Sequence, residues 1–211
     1  GQTESAQLLI KNKADIDAQD KIGYTALMWA VDKGQTESAQ LLIENGAKLD
    51  FQSKEGDTAL MTALARGKIK IVEHLIKEGA KVDLQNKLGI TALMGAVGEG
   101  RIKITKALIE KGANLDLQDK SGYTALMVAA NNNHTAIAKL LIENKANLDL
   151  QNLAWDTALI PAASKGHTEI VDLLIENKAN LDLQNKVRDT ALITAVFKGY
   201  TEIAELLIKK G

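Results

Sequence analysis

The tripeptide Thr-Ala-Leu occurs six times in this chain of 211 residues, beginning at Thr25, Thr58, Thr91, Thr124, Thr157 and Thr190, with a spacing of 33 residues throughout. A strict period of that length describes a row of similar supersecondary units, each too small to bury its own apolar face. Neighbouring units must cover one another, so the core grows by addition along one direction rather than around one centre. What the units share is framework. What differs between them is where function has to be sought.

Residues 20–52 define one unit. Lys21-Ile22-Gly23-Tyr24 has turn character, with Gly23 free to take a positive φ. Thr25 is a good N-cap for a short helix over Ala26-Leu27-Met28-Trp29-Ala30-Val31, which Gly34 stops. A second helix is predicted from Thr36 to Glu44, with Ala39, Leu42 and Ile43 on its packing face and Asn45-Gly46 at its end. Ala47 to Gln52 alternates apolar and polar residues and is predicted to run extended into the next turn.

This sequence resembles the ankyrin repeat in Gly23-Tyr24-Thr25-Ala26-Leu27-Met28-Trp29-Ala30, in Leu41-Leu42-Ile43 and in Gly46-Ala47-Lys48-Leu49-Asp50. The resemblance implies an all-α ankyrin-repeat solenoid of stacked helix-turn-helix units with β-turn or hairpin-like connections. It covers residues 1–211 as a single array: a partial repeat 1–19, full repeats 20–52, 53–85, 86–118, 119–151 and 152–184, and a truncated repeat 185–211. Departures from the family pattern are local. Ala stands for the family's Pro in the first helical turn, and Met or Ile for its His (Met28, Met61, Met94, Met127, Ile160, Ile193). Lys145 and Lys178 occupy the place of Gly112, while Trp155 and Arg188 replace the turn glycine of Gly23, Gly56, Gly89 and Gly122. With Pro161 inside a first helix as well, repeats 152–184 and 185–211 are expected to have altered turns and lower local stability.

Framework positions drift too, since Leu41, His74, Ala107 and Leu140 share one position, which favours a naturally divergent array. Gly1 to Ile10 repeats Gly34 to Ile43, so the sequence begins within a unit and its natural start is expected to lie outside it. The last helix, Ile203 to Ile208, is as apolar as the internal ones. Neither end has the polar outer face of a capping repeat, so a monomer and end-to-end association through uncapped termini are both compatible with the sequence.

Composition narrows the function classes. A net charge of −1 gives no global attraction to nucleic acid, which is not expected as a partner. No apolar run approaches the ~20 residues that span a bilayer. The absence of cysteine rules out disulfides and thiolate metal sites and fits a reducing, cytoplasmic setting. No P-loop, nucleophile elbow or His-Glu-x-x-His is present, and no cofactor, metal, small-molecule substrate or catalytic activity is expected.

Three periodic ladders carry polar groups. Asp17, Asp50, Asp83, Asp116, Asp149 and Asp182 are expected to bond to local turn amides, and Gln19, Gln52, Gln85, Gln118, Gln151 and Gln184 to stabilise turns. Lys21, Lys54, Lys87, Lys120 and Lys186 at the turn tips are expected to offset the Asp ladder. Adjacent units lie ~10 Å apart, too far for His134 and His167 to share a zinc ion. Those two read as structural, and His74 reads as a half-buried packing residue.

The family resemblance implies that partners dock on the concave face formed by turn tips and the outer side of the first helices. Mapped onto this sequence, the partner-binding candidates are Ile22, Tyr24, Trp29, Lys33, Asp57, Arg66, Leu88, Ile90, Tyr123, Asn131, Asn132, Trp155, Lys165, Arg188 and Phe197. Thr62 maps to the same outer face as Trp29. Five of the seven aromatic residues fall on these positions, and aromatic residues and Arg supply most binding hot spots. Tyr24 with Trp29, and Tyr123 with Trp155, are expected as two anchor clusters. The resulting expectation is a non-catalytic scaffold that binds a protein or peptide. The alternative is a structural spacer or targeting module of a larger multidomain protein.

Overall fold

The computed structural model describes residues 2–210. These residues form thirteen helices and no strand. Helix α1 (Gln2–Lys11) is followed by six helix pairs: α2 (Ala26–Asp32) with α3 (Thr36–Glu44), α4 (Ala59–Ala65) with α5 (Ile69–Lys77), α6 (Ala92–Gly98) with α7 (Ile102–Glu110), α8 (Ala125–Asn131) with α9 (Thr135–Glu143), α10 (Leu159–Ser164) with α11 (Thr168–Glu176), and α12 (Ala191–Lys198) with α13 (Thr201–Lys210). The predicted second helix, Thr36 to Glu44, coincides with α3.

The chain divides into two compact units, one of residues up to Gly95 with Glu110–Ala113, the other of Ala96–Ile109 with residues from Asn114 onward. In the first unit α2 packs on α3 and α4, α1 on α3, and α3 on α5. In the second, α8 packs on α9 and α10, α10 on α11 and α12, and α9 and α13 on α11. Helices α2, α8 and α10 thus each meet their own partner helix and the next first helix. Small residues allow that approach: Ala63, Ala129 and Ala162 are fully buried. Leu75, Leu141 and Leu174 fill the space beneath the second helices and are equally buried.

Local chemistry sets the helix starts. Thr25, Thr58 and Thr124 sit in extended backbone, and each Oγ1 accepts a hydrogen bond from the amide three residues on, at 3.3, 3.2 and 3.3 Å. These bonds satisfy one of the free amides at a helix N-terminus. Pro161 interrupts the pattern. It stands where Trp29 donates its amide to the Thr25 carbonyl, and proline has no amide to donate. Helix α10 accordingly begins at Leu159, with Ala158 as an N-cap that makes no side-chain bond.

The connections differ from the expected extended return. Leu49-Asp50 forms a turn, and within each unit neighbouring turn tips are joined by one backbone bond, such as Lys54 N to Ile22 O at 2.8 Å and Leu153 N to Ser121 O at 2.9 Å. A single bond per tip makes a hairpin-like contact and not a ladder. Side chains complete the join. Four aspartates of the ladder reach beyond their own turn: Asp17, Asp50, Asp116 and Asp149 reach forward by 31 residues to accept the amides of Lys48, Lys81, Asn147 and Asn180 at 2.8–2.9 Å. Lysines of that same forward segment, not the turn-tip lysines, approach two of these carboxylates, Lys48 and Lys81 at 4.0 Å. Gln19, Gln52, Gln118 and Gln151 each close their own turn and also donate to the carbonyl of the next Gln in the ladder. Both ladders are therefore latches between repeats, each placed where one side chain spans two backbones.

The turns expected to be altered are not. Trp155 and Arg188 take φ of 64° and 67°, the left-handed conformation that Gly23 takes at 81°, and Lys145 and Lys178 do the same at 71° and 65°. Asn152 N to Asp156 O and Asn185 N to Asp189 O close the two turns at 3.0 Å, as Asp20 N to Tyr24 O does. Stacking on neighbouring repeats holds the backbone in this form, and the side chain bears a cost of about 1–2 kcal/mol. In the last repeat Ile193, Val196 and Ile208 are 46%, 62% and 67% exposed, although Ile160, Ala163 and Ile175 at the equivalent positions are buried.

His74 lies half-buried on α5, at a position that holds Leu in α3 and α9, and its Nε2 is buried without a hydrogen-bond partner. An unpaired buried polar atom costs about 1–3 kcal/mol. Replacing His74 by Leu is expected to raise stability by about 1–2 kcal/mol, read as a higher urea midpoint at constant m-value. A lower midpoint would show that His74 is paired in solution.

Candidate functional site

The outward-facing candidates fall into two groups, one in each compact unit. In the first unit the turn before α2 and the outer side of α2 build a connected cluster. Asp20 lies at its base. Its Oδ1 accepts the amides of Ile22 and Tyr24 at 2.9 Å, and its Oδ2 accepts the Trp29 indole N–H at 2.8 Å. The Tyr24 amide bond foremost, with the indole and Ile22 bonds beside it, holds the Asp20 carboxyl below the usual carboxylate range. The indole is thereby oriented, and the Tyr24 and Trp29 rings pack with centroids 5.1 Å apart and planes inclined by 57°. Lys33 Nζ lies 5.2 Å from the Trp29 ring centroid.

Charged groups continue the cluster. Asp32 accepts Arg66 Nε at 2.8 Å and meets Lys33 Nζ at 3.1 Å. Lys33 and then Arg66 hold the Asp32 carboxyl below the usual carboxylate range. Asp57 accepts the Asn86 side-chain amide at 2.8 Å, which ties that turn to the next. Ile22 and Leu88 project at the tips, 48% and 62% exposed, and Ile90 is half-buried behind its turn. Thr62 does not face outward as mapped. It is buried, and its hydroxyl donates to the Thr58 carbonyl one helical turn back.

The second unit is arranged differently. Tyr123 is half-buried, with its amide on Asp119 Oδ1 at 2.8 Å. Trp155 is 55% exposed at the following tip. Among the described residues the two rings make no contact, so the expected Tyr123–Trp155 cluster is not formed; one repeat step separates them and neither side chain is turned towards the other by a bond such as Asp20 provides. Asn131 and Asn132 bond to each other at 3.1 Å, and Lys165 Nζ donates to the Asn131 carbonyl at 3.0 Å. Arg188 is exposed at its turn and Phe197 is 82% exposed on α12. Leu153, 63% exposed, was not among the sequence candidates because it occupies a place that lysine holds in the other turns.

Asp156 is the one carboxyl of this face pushed upward. Burial raises it, and the side-chain amides of Asn185 and Asn152 offset part of that rise. A carboxyl whose folded-state pKa exceeds its unfolded one favours the folded state fully at low pH and loses that contribution as pH rises through the raised value. Asp156→Asn removes the loss while keeping an oxygen for the two amides. Its stability relative to the parent is expected to be higher at pH 7 than at pH 3, measured by urea midpoints at both values. An identical difference at both pH values would contradict the burial effect.

Among the described residues no group of three or more His, Asp or Glu side chains is placed to hold a metal ion. His134 approaches the Gly98 carbonyl through Nε2 at 3.4 Å and, like His167, precedes a second helix at its N-cap. Among the described residues no helix is long and apolar enough to cross a membrane.

The profile of ankyrin repeats (three copies) matches residues 1–86, 64–152 and 145–211. Solved ankyrin repeat structures are similar. A domain from Acinetobacter baumannii AYE is 29% identical, with a TM-score of 0.83, over 88% of this chain and 97% of its own. The ankyrin repeat protein EF0377 is 31% identical, with a TM-score of 0.82, over 90% of this chain and 99% of its own. The ankyrin repeat domain of Bcl-3, a member of the IkappaB family, is 26% identical, with a TM-score of 0.84, over 98% of this chain and 91% of its own. No curated protein sequence matches this chain significantly.

Proposed function

This chain belongs to the ankyrin-repeat family, whose repeats are generally modules of protein–protein interaction, and from that premise we propose that it is a non-catalytic scaffold capturing a protein or peptide through its turn tips and first-helix faces. The observation that carries the reading is the prepared cluster in the first unit. Tyr24 and Trp29 present a paired aromatic surface, while Asp20, Lys33, Asp32 and Arg66 fix its rim. Rigid aromatic groups lose little entropy on binding, and charged groups already paired within the surface need no reorganisation to meet a partner.

The contributing residues are Ile22, Tyr24, Trp29, Lys33, Asp57, Arg66, Leu88 and Ile90 in the first unit. Tyr123, Asn131, Asn132, Trp155, Lys165, Arg188 and Phe197 are the contributing residues of the other unit. The test is capture from a cell lysate, read by mass spectrometry, with the unmodified chain beside a Tyr24→Ala, Trp29→Ala, Tyr123→Ala variant. A protein enriched by the parent alone is the expected result. Equal recovery by both, or no specific protein in either, would favour a spacer or targeting module within a larger protein.

A further inference from the structure

One turn-tip position is glycine in four repeats, Gly23, Gly56, Gly89 and Gly122, with φ between 78° and 82°. The reason is visible at Gly122, where an added Cβ would lie 2.7 Å from Asn152 Cα and 2.9 Å from Leu153 N on the next tip. Both the left-handed backbone and the close neighbour favour glycine there. The last two repeats nevertheless carry Trp155 and Arg188 at this position, in the same conformation. The tip following Trp155 stays joined, with Lys186 N to Ala154 O at 2.9 Å. Folding therefore gives no reason for a bulky residue at either place.

Both side chains stand outward. Trp155 is 55% exposed, with Leu153 at 63% beside it in the same turn and Val187 at 72% on the adjoining tip. Lys186 and Arg188 are exposed and, among the described residues, form no ion pair. The acids of these turns are withdrawn: Asp156 and Asp189 are half-buried, and Asp156 is held by the Asn152 and Asn185 amides. The exposed tips are thus apolar and cationic, although the chain as a whole carries a net charge of −1.

We propose that the adjoining tips Leu153–Trp155 and Lys186–Arg188 form a docking site for an acidic peptide segment carrying a large apolar side chain. The apolar side chain lies on the Trp155 indole between Leu153 and Val187, and flanking carboxylates meet Lys186 and Arg188. The inference rests on the protein-binding reading and names the partner chemistry for the second unit. A phosphate backbone fits less well, because aliphatic side chains and an indole occupy the centre of the patch and only two cations stand at its edge.

The experiment selects phage-displayed random dodecapeptides on the 211-residue chain, and repeats the selection on W155G/R188G and on Y24A/W29A/Y123A. Peptides with Asp or Glu around Leu, Phe or Trp are expected. Their recovery should fall about ten-fold or more on W155G/R188G and persist on Y24A/W29A/Y123A. W155G/R188G should melt no lower than the parent, because the left-handed strain at both positions is relieved. Equal recovery on W155G/R188G, enrichment of basic peptides, tighter binding of fluorescein-labelled oligo-dT than of the selected peptides, or a lower melting temperature would overturn the proposal. Peptides lost only on Y24A/W29A/Y123A would overturn it while sustaining the broader reading. A selection that enriches nothing overturns it as well, and the lysate capture then decides the broader reading separately.

Discussion

Leu141→Ala lowers the unfolding free energy by about 2–5 kcal/mol. Leu141 is fully buried on α9, where it lies within the stack of second helices α9, α11 and α13. Truncation removes the transfer free energy of three carbons and leaves a cavity that the close-packed helices can only partly close. In a stack of short repeats the loss is local, because each repeat contacts only its neighbours. Urea denaturation gives the magnitude, and hydrogen exchange should place the lost protection in α8–α11 first. Leu8→Ala on α1 is the control. Leu8 is 58% exposed, and its truncation should change stability by less than about 0.5 kcal/mol. A loss below about 1 kcal/mol for Leu141→Ala would mean that this layer is far looser than its burial indicates.

Affinity for the captured partner falls about a thousand-fold in the Tyr24→Ala, Trp29→Ala, Tyr123→Ala variant. Central aromatic hot spots are each worth about 2 kcal/mol or more, and 1.4 kcal/mol is ten-fold in affinity. Simple addition would exceed a thousand-fold, but Tyr24 and Trp29 touch each other and their losses couple. The variant should retain the parent's far-ultraviolet circular dichroism. The Thr25 and Thr124 caps and the buried Leu27 and Leu126 behind them are untouched. Titration calorimetry with the purified partner gives the affinity ratio. A change below about three-fold with the fold intact would remove these residues from the interface.

Much of the fold was legible because the repeat multiplies weak signals. One Thr before an apolar run is a common sequence; the same Thr every 33 residues, each followed by Ala-Leu, marks a helix start with a definite partner surface. The bounds of α3 and the capping role of Thr25 were readable in this way. The Asp and Gln ladders were legible as periodic but not in their partners. A carboxylate bonding within its own turn and one reaching 31 residues forward have the same local sequence, and only the stacking distance between backbones selects the second. The Tyr24 and Trp29 rings pack together, whereas those of Tyr123 and Trp155 do not. The first pair lies within one repeat, five residues apart and tied through Asp20, while the second depends on side-chain direction across repeats.

The sequence by itself determined the repeat, the helix pairs and the membership of a binding family, because period, caps and apolar spacing are properties of neighbouring residues. Tertiary structure decided which polar groups became latches, that Thr62 turned inward, and that Trp155, Arg188, Lys145 and Lys178 keep the left-handed backbone that glycine takes elsewhere. Propensity alone predicts that such residues alter their turns. Tip-to-tip bonds and helix stacking on adjacent repeats outweigh a local cost of about 1–2 kcal/mol, and the backbone follows the stack.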